Sequence, residues 1–288
     1  DDFIVKKQDG NPTFMFANAI DDALMGVNVV LRGDDHLSNT PRQIALLKAL
    51  DLSIPEFIHV ALFTGDDGSP LSKRNGSLSV QELREAGYFP KAIANYLSRV
   101  GHTIGDNELR SLEELATVFK IDNISNSPSR FDLDQLEFWQ KKVIESESTE
   151  SLLTWLRKDL SEILPAEIDQ NGFVELIREN IVFPKDAADY AKNLFVHSLS
   201  SDKEVSTIIK KTGPKFFNIA RECVQEHWGD WSKIMKDIGE KSGNKGKELF
   251  MPIRAAITCQ LSGPELDQVT KLLDIDRVVG RLEEASQL

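Results

Sequence analysis

The sequence predicts a mostly helical chain with an α/β portion at its N-terminal end. Three observations predict this. Over residues 3–63, β-branched and aromatic runs of strand length alternate with helix-length segments. From residue 79 onward, apolar residues recur at helical spacing without a convincing strand. A glycine-, aspartate- and proline-rich stretch at 65–70 separates the two textures. Strand alternating with helix over 1–63 predicts parallel pairing.

Taken in order, Phe3-Ile4-Val5 reads as a short strand and Asp9-Gly10-Asn11-Pro12 as a turn. Residues 14–25 read as a helix ending at Gly26, and Val27–Leu31 as a buried strand. A cap at Ser38 or Thr40 opens the next helix. Pro41 fits its first turn, where the missing N–H costs nothing, and Ile44, Leu47 and Leu50 give it an apolar face. Phe57–Phe63 is a further β run. Ile93, Tyr96, Leu97 and Val100 form a core-facing stripe at i, i+3, i+4, i+7. Helical register continues over 111–119 and 132–145. The polar run Ser146–Ser151 is a cap or a linker, and nine helices follow between 151 and 286. Pro252 falls inside the one at 246–259. It clashes with the carbonyl of Glu248, so a kink or a late helix start is expected there.

The length, 288 residues, suits about two domains. Hydrophobic residues at 41% and charged residues at 28% exclude collagen-like, low-complexity and disulfide-scaffold chains. No uncharged apolar run approaches a membrane span, and Asp1–Lys7 has no signal-peptide pattern. Cys223 and Cys259 are too few for a cysteine zinc site and favour a reducing, cytoplasmic setting, though one disulfide stays open. A net charge of −12 argues against a duplex-coating protein and confines nucleic-acid contact to local basic patches.

Several residues could carry chemistry. Leu71-Ser72-Lys73-Arg74 follows a glycine-rich loop. There Lys73 suits a phosphate as a point charge and Arg74 as a fork, while a solvated basic turn is the plainer reading. Arg32-Gly33-Asp34-Asp35-His36 follows a strand, where ligands bind open parallel sheets. Arg32 could grip a carboxylate bidentately. Asp35 and His36 are neighbours and make a poor chelating pair, so no metal site is expected; a polar surface loop is the alternative. Asp21 and Asp22 lie near a helix C-terminus, where carboxylates need partners, and a structural role outweighs acid/base work. His59 reads as a satisfied histidine within a strand, and Trp139, Trp155, Trp228 and Trp231 as helix-packing residues. Two basic islands interrupt the acidic background. Over 241–254, Lys241, Lys245, Lys247 and Arg254 stand against Glu248 alone; over 203–217, Lys203, Lys210, Lys211 and Lys215 stand against Glu204 alone. They suit positioning contacts to an RNA backbone or are ordinary solvated helix ends.

In order and spacing these segments resemble bacterial glutamyl-tRNA synthetase, a class I aminoacyl-tRNA synthetase, nearly end to end. The anchors are Asp9–Thr13, Ala17–Asp22, Met25-Gly26, Val30–Leu37, Thr40–Ile44, Leu71–Arg74, Gly87–Pro90, and Lys245–Lys247 with Pro252–Arg254. The resemblance implies the C-terminal half of a Rossmann-like class I catalytic domain over 1–63. It implies a helical stem-contact region over 64–145 carrying the Leu-Ser-Lys-Arg loop, and an all-helical anticodon-binding domain over 146–288. It casts Leu71–Arg74 as the family's Lys-Met-Ser-Lys-Ser-type signature, with Ser72, Lys73 and Arg74 stabilising the leaving pyrophosphate. Such donors are worth about 10²–10³ in rate. Pro70 stands where the family has lysine. Leu71, Asp35 and His36 match ATP-site positions. Arg32, Asn18 and Phe14 match the glutamate pocket, with Phe14 where the family has tyrosine. Lys241, Lys245, Lys247, Arg254, Lys210 and Lys211 become tRNA-contact candidates. ATP, Mg²⁺ carried on its phosphates, L-glutamate and tRNA(Glu) are the implied ligands of a cytoplasmic monomer.

No His-x-Gly-His motif occurs in the chain. The resemblance therefore implies that the first half of the catalytic domain is absent, and that this chain alone makes no glutamyl-adenylate. The rivals are a non-catalytic tRNA-binding fragment and a paralogue charging tRNA(Gln) with glutamate. A queuosine-modifying relative lacks the long helical C-terminal domain, so residues 150–288 argue against it.

Overall fold

The protein is described by a computed structural model over residues 2–65, 68–69, 71, 79–125 and 127–288. The chain divides into two compact units, Asp1–Glu82 with Pro90–Trp139, and Leu83–Phe89 with Gln140–Leu288.

In the first unit the segment before the first helix is held by a turn. Lys7 donates to the Asn11 carbonyl at 2.7 Å, with Gly10 at φ +88°. The expected strand at Phe3–Val5 does not form. Only an isolated antiparallel bridge, Lys6 to Pro12, is present, and the exposed Ile4 has no sheet to join. Helix α1 (Phe14–Leu24) ends where Gly26 takes a positive φ of 75°. Strand β1 (Val29–Gly33) starts two residues later than the apolar run. It is not buried either: Leu31 is 49% exposed, because only one neighbouring strand flanks it among the described residues. A 3₁₀ turn, Asp34–Asn39, then leads into α2 (Thr40–Ala49). Strand β2 (Glu56–Val60) pairs parallel with β1, setting Arg32 opposite His59 and Gly33 opposite Val60.

Three expectations fail around α2 and β2. Neither Ser38 nor Thr40 caps α2; the N-cap is Asn39, without a side-chain bond, because the preceding 3₁₀ turn already carries the chain in helical conformation. The buried face is Thr40, Gln43 and Leu47 rather than Ile44, Leu47 and Leu50, and Leu50 is 47% exposed. The long β run breaks at Ala61-Leu62, and β3 (Phe63–Thr64) is separate.

Farther along this unit, β3 pairs parallel with β4 (Ser129–Arg130), a strand that the helical reading of the later chain misses. A two-residue strand is too short to show alternation. Among the helices, α3 (Val80–Ala86) and α4 (Pro90–Leu97) precede α5 (Leu112–Val118), which starts with a capping box of Ser111 and Glu114. On α4 the buried residues are Ala92, Asn95 and Tyr96, while Leu97 is 43% exposed, so the expected stripe is displaced. Asn95 takes the core position because its amide donates to the Lys91 and Arg110 carbonyls at 2.9 and 2.7 Å. Trp139, on α6 (Leu133–Ser146), is buried with the Arg99 guanidinium 4.1 Å above its ring.

The second unit is helical throughout its described residues. Its helices are α7 (Thr149–Leu160), α8 (Gln170–Ile177), α9 (Pro184–Phe195), α10 (Lys203–Thr212), α11 (Pro214–His227), α12 (Trp231–Ser242), α13 (Lys247–Thr258), α14 (Leu266–Leu272) and α15 (Ile275–Gln287). Ser148, Asp169, Asp202, Asp230 and Asp274 cap five of them, which is why the expected starts fall close to the observed ones. Phe173, Phe217, Leu152, Leu156, Ile177 and Ile234 fill one core. Helix α13 runs through Pro252 rather than starting after it. The Glu248 carbonyl, deprived of its usual N–H, accepts from Asn244 Nδ2 at 3.4 Å. Cys223 and Cys259 are buried free thiols, not a disulfide. No helix among the described residues is long and apolar enough to cross a membrane.

One buried amide holds an irregular segment of this unit. Gln140 accepts from the Phe89 amide at 2.9 Å and donates to the Gly87 and Val182 carbonyls, both at 3.1 Å. Gly87 is at φ +97°, and a Cβ there would lie 2.5 Å from Pro184 Cδ, so no other residue fits. Gln140→Leu leaves buried backbone groups without partners. Urea titration should show a loss of about 3 kcal/mol, whereas a loss under about 0.5 kcal/mol would contradict the assignment.

Candidate active site

The site is assembled at the carboxyl end of β1, where the strand hands over to the 3₁₀ turn. At Gly33 the side chains of Asp35 and Leu62 pack close to the backbone. A Cβ would lie 2.4 Å from Asp35 Oδ1 and 2.9 Å from Leu62 Cδ2. The chain therefore bends with the Asp35 carboxylate folded tightly back against the strand end.

Arg32 is the centre. Its Nη2 donates to Thr40 Oγ1 and to Gln43 Oε1, both at 2.7 Å, and its guanidinium lies 5.0 Å from the Phe57 ring centroid. Its Nε is buried without a hydrogen-bond partner among the described residues. Burial pulls the Arg32 pKa down, and the nearby carboxylates of Asp22 and Asp35 push it back up. Since arginine keeps its proton at any ordinary pH, the site holds a fixed cation with donors to spare.

Sequence reasoning gives Thr40 only as a helix-cap candidate, and assigns neither Thr40 nor Gln43 a place in the site. Thr40 Oγ1 also lies 2.9 Å from His59 Nε2, which satisfies that histidine. Gln43 Nε2 donates to Asn18 Oδ1 at 3.1 Å and to the Met15 carbonyl at 3.3 Å, tying α1 to the Arg32 cluster. The available signal was the polar pair at i, i+3 on the face that Leu47 buries. Phe14 and His36 come together with ring centroids 5.6 Å apart, and His36 Nε2 lies 3.7 Å from Asp35 Oδ2. Asn39 Nδ2 sits 3.2 Å from His36 Nδ1. The structure therefore gathers Arg32, Asn18, Phe14, Asp35 and His36 around one strand end. Leu71 is placed apart from these contacts, its amide donating to the Phe63 carbonyl at 2.9 Å. Ser72, Lys73 and Arg74, like Pro70, lie outside the described residues. No group of three or more His, Cys, Asp or Glu side chains among the described residues is placed to hold a metal ion.

Residues 1–138 match the family of class I tRNA synthetases (E and Q), catalytic domain, and residues 147–286 match the anticodon binding domain family. The chain thus carries a class I tRNA synthetase catalytic-domain segment followed by an anticodon-binding domain. Over 98% of its length this synthetase chain is 43% identical to glutamate–tRNA ligase 1 of Methylococcus capsulatus and 45% identical to glutamate–tRNA ligase 2 of Nitrosococcus oceani. It spans 60% of the length of each. The fold matches a crystal structure of glutamate–tRNA synthetase from Elizabethkingia anophelis with a TM-score of 0.84 at 24% identity, covering the whole of this chain and 62% of that one.

In the region of the synthetase chain matched by the anticodon-binding family, Lys210, Lys211, Lys245 and Lys247 are exposed. Lys241 is exposed too but pairs with Glu226 at 3.3 Å, a bond that raises its pKa. Arg254 differs from the lysines. It is partly buried, its pKa is lowered by that burial, and its Nη1 donates to the Pro264 carbonyl at 2.8 Å.

The Arg32 cluster predicts that Thr40→Val, which keeps the shape but removes the acceptor, destabilises the fold by about 1–2 kcal/mol in chemical denaturation. Thr40→Ser retains the oxygen and should cost less. Equal losses for the two variants would show that the Thr40 oxygen does not hold Arg32.

Proposed function

We propose that the whole protein to which this chain belongs is a glutamate–tRNA ligase. It joins glutamate to AMP with release of pyrophosphate from ATP, then transfers the glutamyl group to the 3′ end of tRNA(Glu). The observation that carries this reading is the state of Arg32: Thr40 and Gln43 use its Nη2 hydrogens, while its Nη1 hydrogens have no partner among the described residues. A fixed cation with unused donors, beside the Asn18 amide at the end of a parallel strand, suits a carboxylate. The relatives at 43% and 45% identity bear the same activity in their names.

The substrate carboxylate is itself the nucleophile on the α-phosphorus, so protein groups act by positioning and charge. Arg32, Asn18 and Phe14 take the amino acid; Asp35, His36 and Leu71 face the nucleotide; Ser72, Lys73 and Arg74 meet the pyrophosphate oxygens. Mg²⁺ arrives on the triphosphate, a hard cation on oxygen ligands. Lys210, Lys211, Lys241, Lys245, Lys247 and Arg254 belong to the tRNA-binding region. The setting is cytoplasmic and the working form a monomer. With no His-x-Gly-His motif to cradle ATP, the 288-residue chain alone binds tRNA without making adenylate.

Glutamate-dependent ATP–pyrophosphate exchange tests this. The whole protein should be active and the 288-residue chain inactive. In the whole protein, Arg32→Ala should raise the KM for glutamate at least about tenfold, and Lys73→Ala should lower kcat by about 10²–10³. Exchange by the chain alone, or an Arg32→Ala enzyme with unchanged glutamate KM, would contradict the assignment. Separate charging assays with tRNA(Glu) and tRNA(Gln) decide between the ligase and the paralogue.

A further inference from the structure

Gln43 sits at the junction of the two side chains proposed to meet the substrate. It is 1% exposed and makes three hydrogen bonds to three different groups. Two of the partners fix which way its amide points. The Met15 carbonyl can only accept, so the atom 3.3 Å from it is the Nε2 donor. The Arg32 guanidinium can only donate, so the atom 2.7 Å from its Nη2 is the Oε1 acceptor. These constraints agree, and together they leave Gln43 one orientation.

That orientation propagates to Asn18. A second hydrogen on Gln43 Nε2 points at Asn18, so the Asn18 atom facing it, at 3.1 Å, is Oδ1. With Oδ1 occupied, Asn18 Nδ2 points the opposite way within the amide plane and has no hydrogen-bond partner among the described residues. On the Arg32 side, Gln43 and Thr40 consume the Nη2 hydrogens and hold the guanidinium in one plane, leaving Nη1 to donate, since Nε is buried.

We infer that Gln43 is a positioning residue of the glutamate site: its single buried amide sets Arg32 and Asn18 so that both present donors to one carboxylate. The inference rests on the reading of Arg32 and Asn18 as glutamate-binding residues, and it adds a residue that touches no substrate. A preset pair of donors avoids reorganisation when the ligand arrives, so loss of the clamp acts on glutamate binding before anything else.

Gln43→Glu is the discriminating variant, because it is nearly isosteric and threatens the fold least. It replaces the Nε2 donor with an acceptor, which turns the Asn18 amide round and aims Oδ1 at the incoming carboxylate. It also sets a carboxylate against Arg32. Gln43→Met removes all three bonds and serves as the second variant. In ATP–pyrophosphate exchange by the whole protein, Gln43→Glu should raise the KM for glutamate about tenfold or more, with the KM for ATP within about twofold of wild type. Gln43→Met should shift glutamate KM in the same direction. A general structural role would instead move both KM values together or lower kcat alone, and that outcome overturns the inference, as does an unchanged glutamate KM. Arg32→Ala run in parallel separates the two levels. If Arg32→Ala raises glutamate KM and Gln43→Glu does not, the clamp is wrong and the site reading stands. If neither raises it, the site reading itself falls.

Discussion

The packing of α1, α2, β1 and β2 turns on keeping one guanidinium in place. Arg32 is pulled partly out of water at the end of β1, which is costly for a cation unless its hydrogens are bonded. The bonds come from the buried face of α2. Thr40 and Gln43 occupy positions that a purely apolar helix face would fill, and Leu47 is the one fully buried hydrophobic residue of α2. This fixes the packing of α2 against β1 and β2. It fixes the rotation of α1 as well, because Gln43 reaches Asn18 and Met15 on that helix. Exchanging those polar groups for leucine would strengthen the hydrophobic contact and leave a buried charge unpaired, a loss that outweighs the gain.

The second unit follows a different logic. Its core is apolar and continuous, and its helix starts are set by short polar side chains that bond the first free amides. Arginine is structural here. Arg281, buried, donates to the His197 and Asn193 carbonyls at 2.6 and 2.9 Å, and Arg254 ties α13 to Pro264. The exposed lysines of α10 and of the segment around Lys245 carry no such duty. That contrast sets the arginines that bond backbone carbonyls apart from the exposed lysines.

The parts legible in the sequence were those with a local cause. Turn chemistry at Asp9–Pro12, the glycine stop after α1, and the aspartate and serine caps of the second unit needed no tertiary information. The misses share the opposite property. Leu50 and Leu97 lie on helical stripes yet are exposed, and Asn95 and Gln43 are polar yet buried; only the neighbouring backbone carbonyls and Arg32 explain the exchange. Strand β4 has two residues and exists only because β3 lies beside it. In the candidate site, Arg32 and Asn18 were found through a family resemblance. Thr40 and Gln43 stood inside one of the quoted anchors, but their work is contact with other side chains, which spacing does not reveal.

The most direct test of the central claim is a crystal structure of the whole protein with L-glutamate. A carboxylate of the amino acid should lie within hydrogen-bond distance of Arg32 Nη1, with Thr40 and Gln43 still on Nη2. Glutamate bound elsewhere, with the Arg32 donors still unengaged, would contradict it.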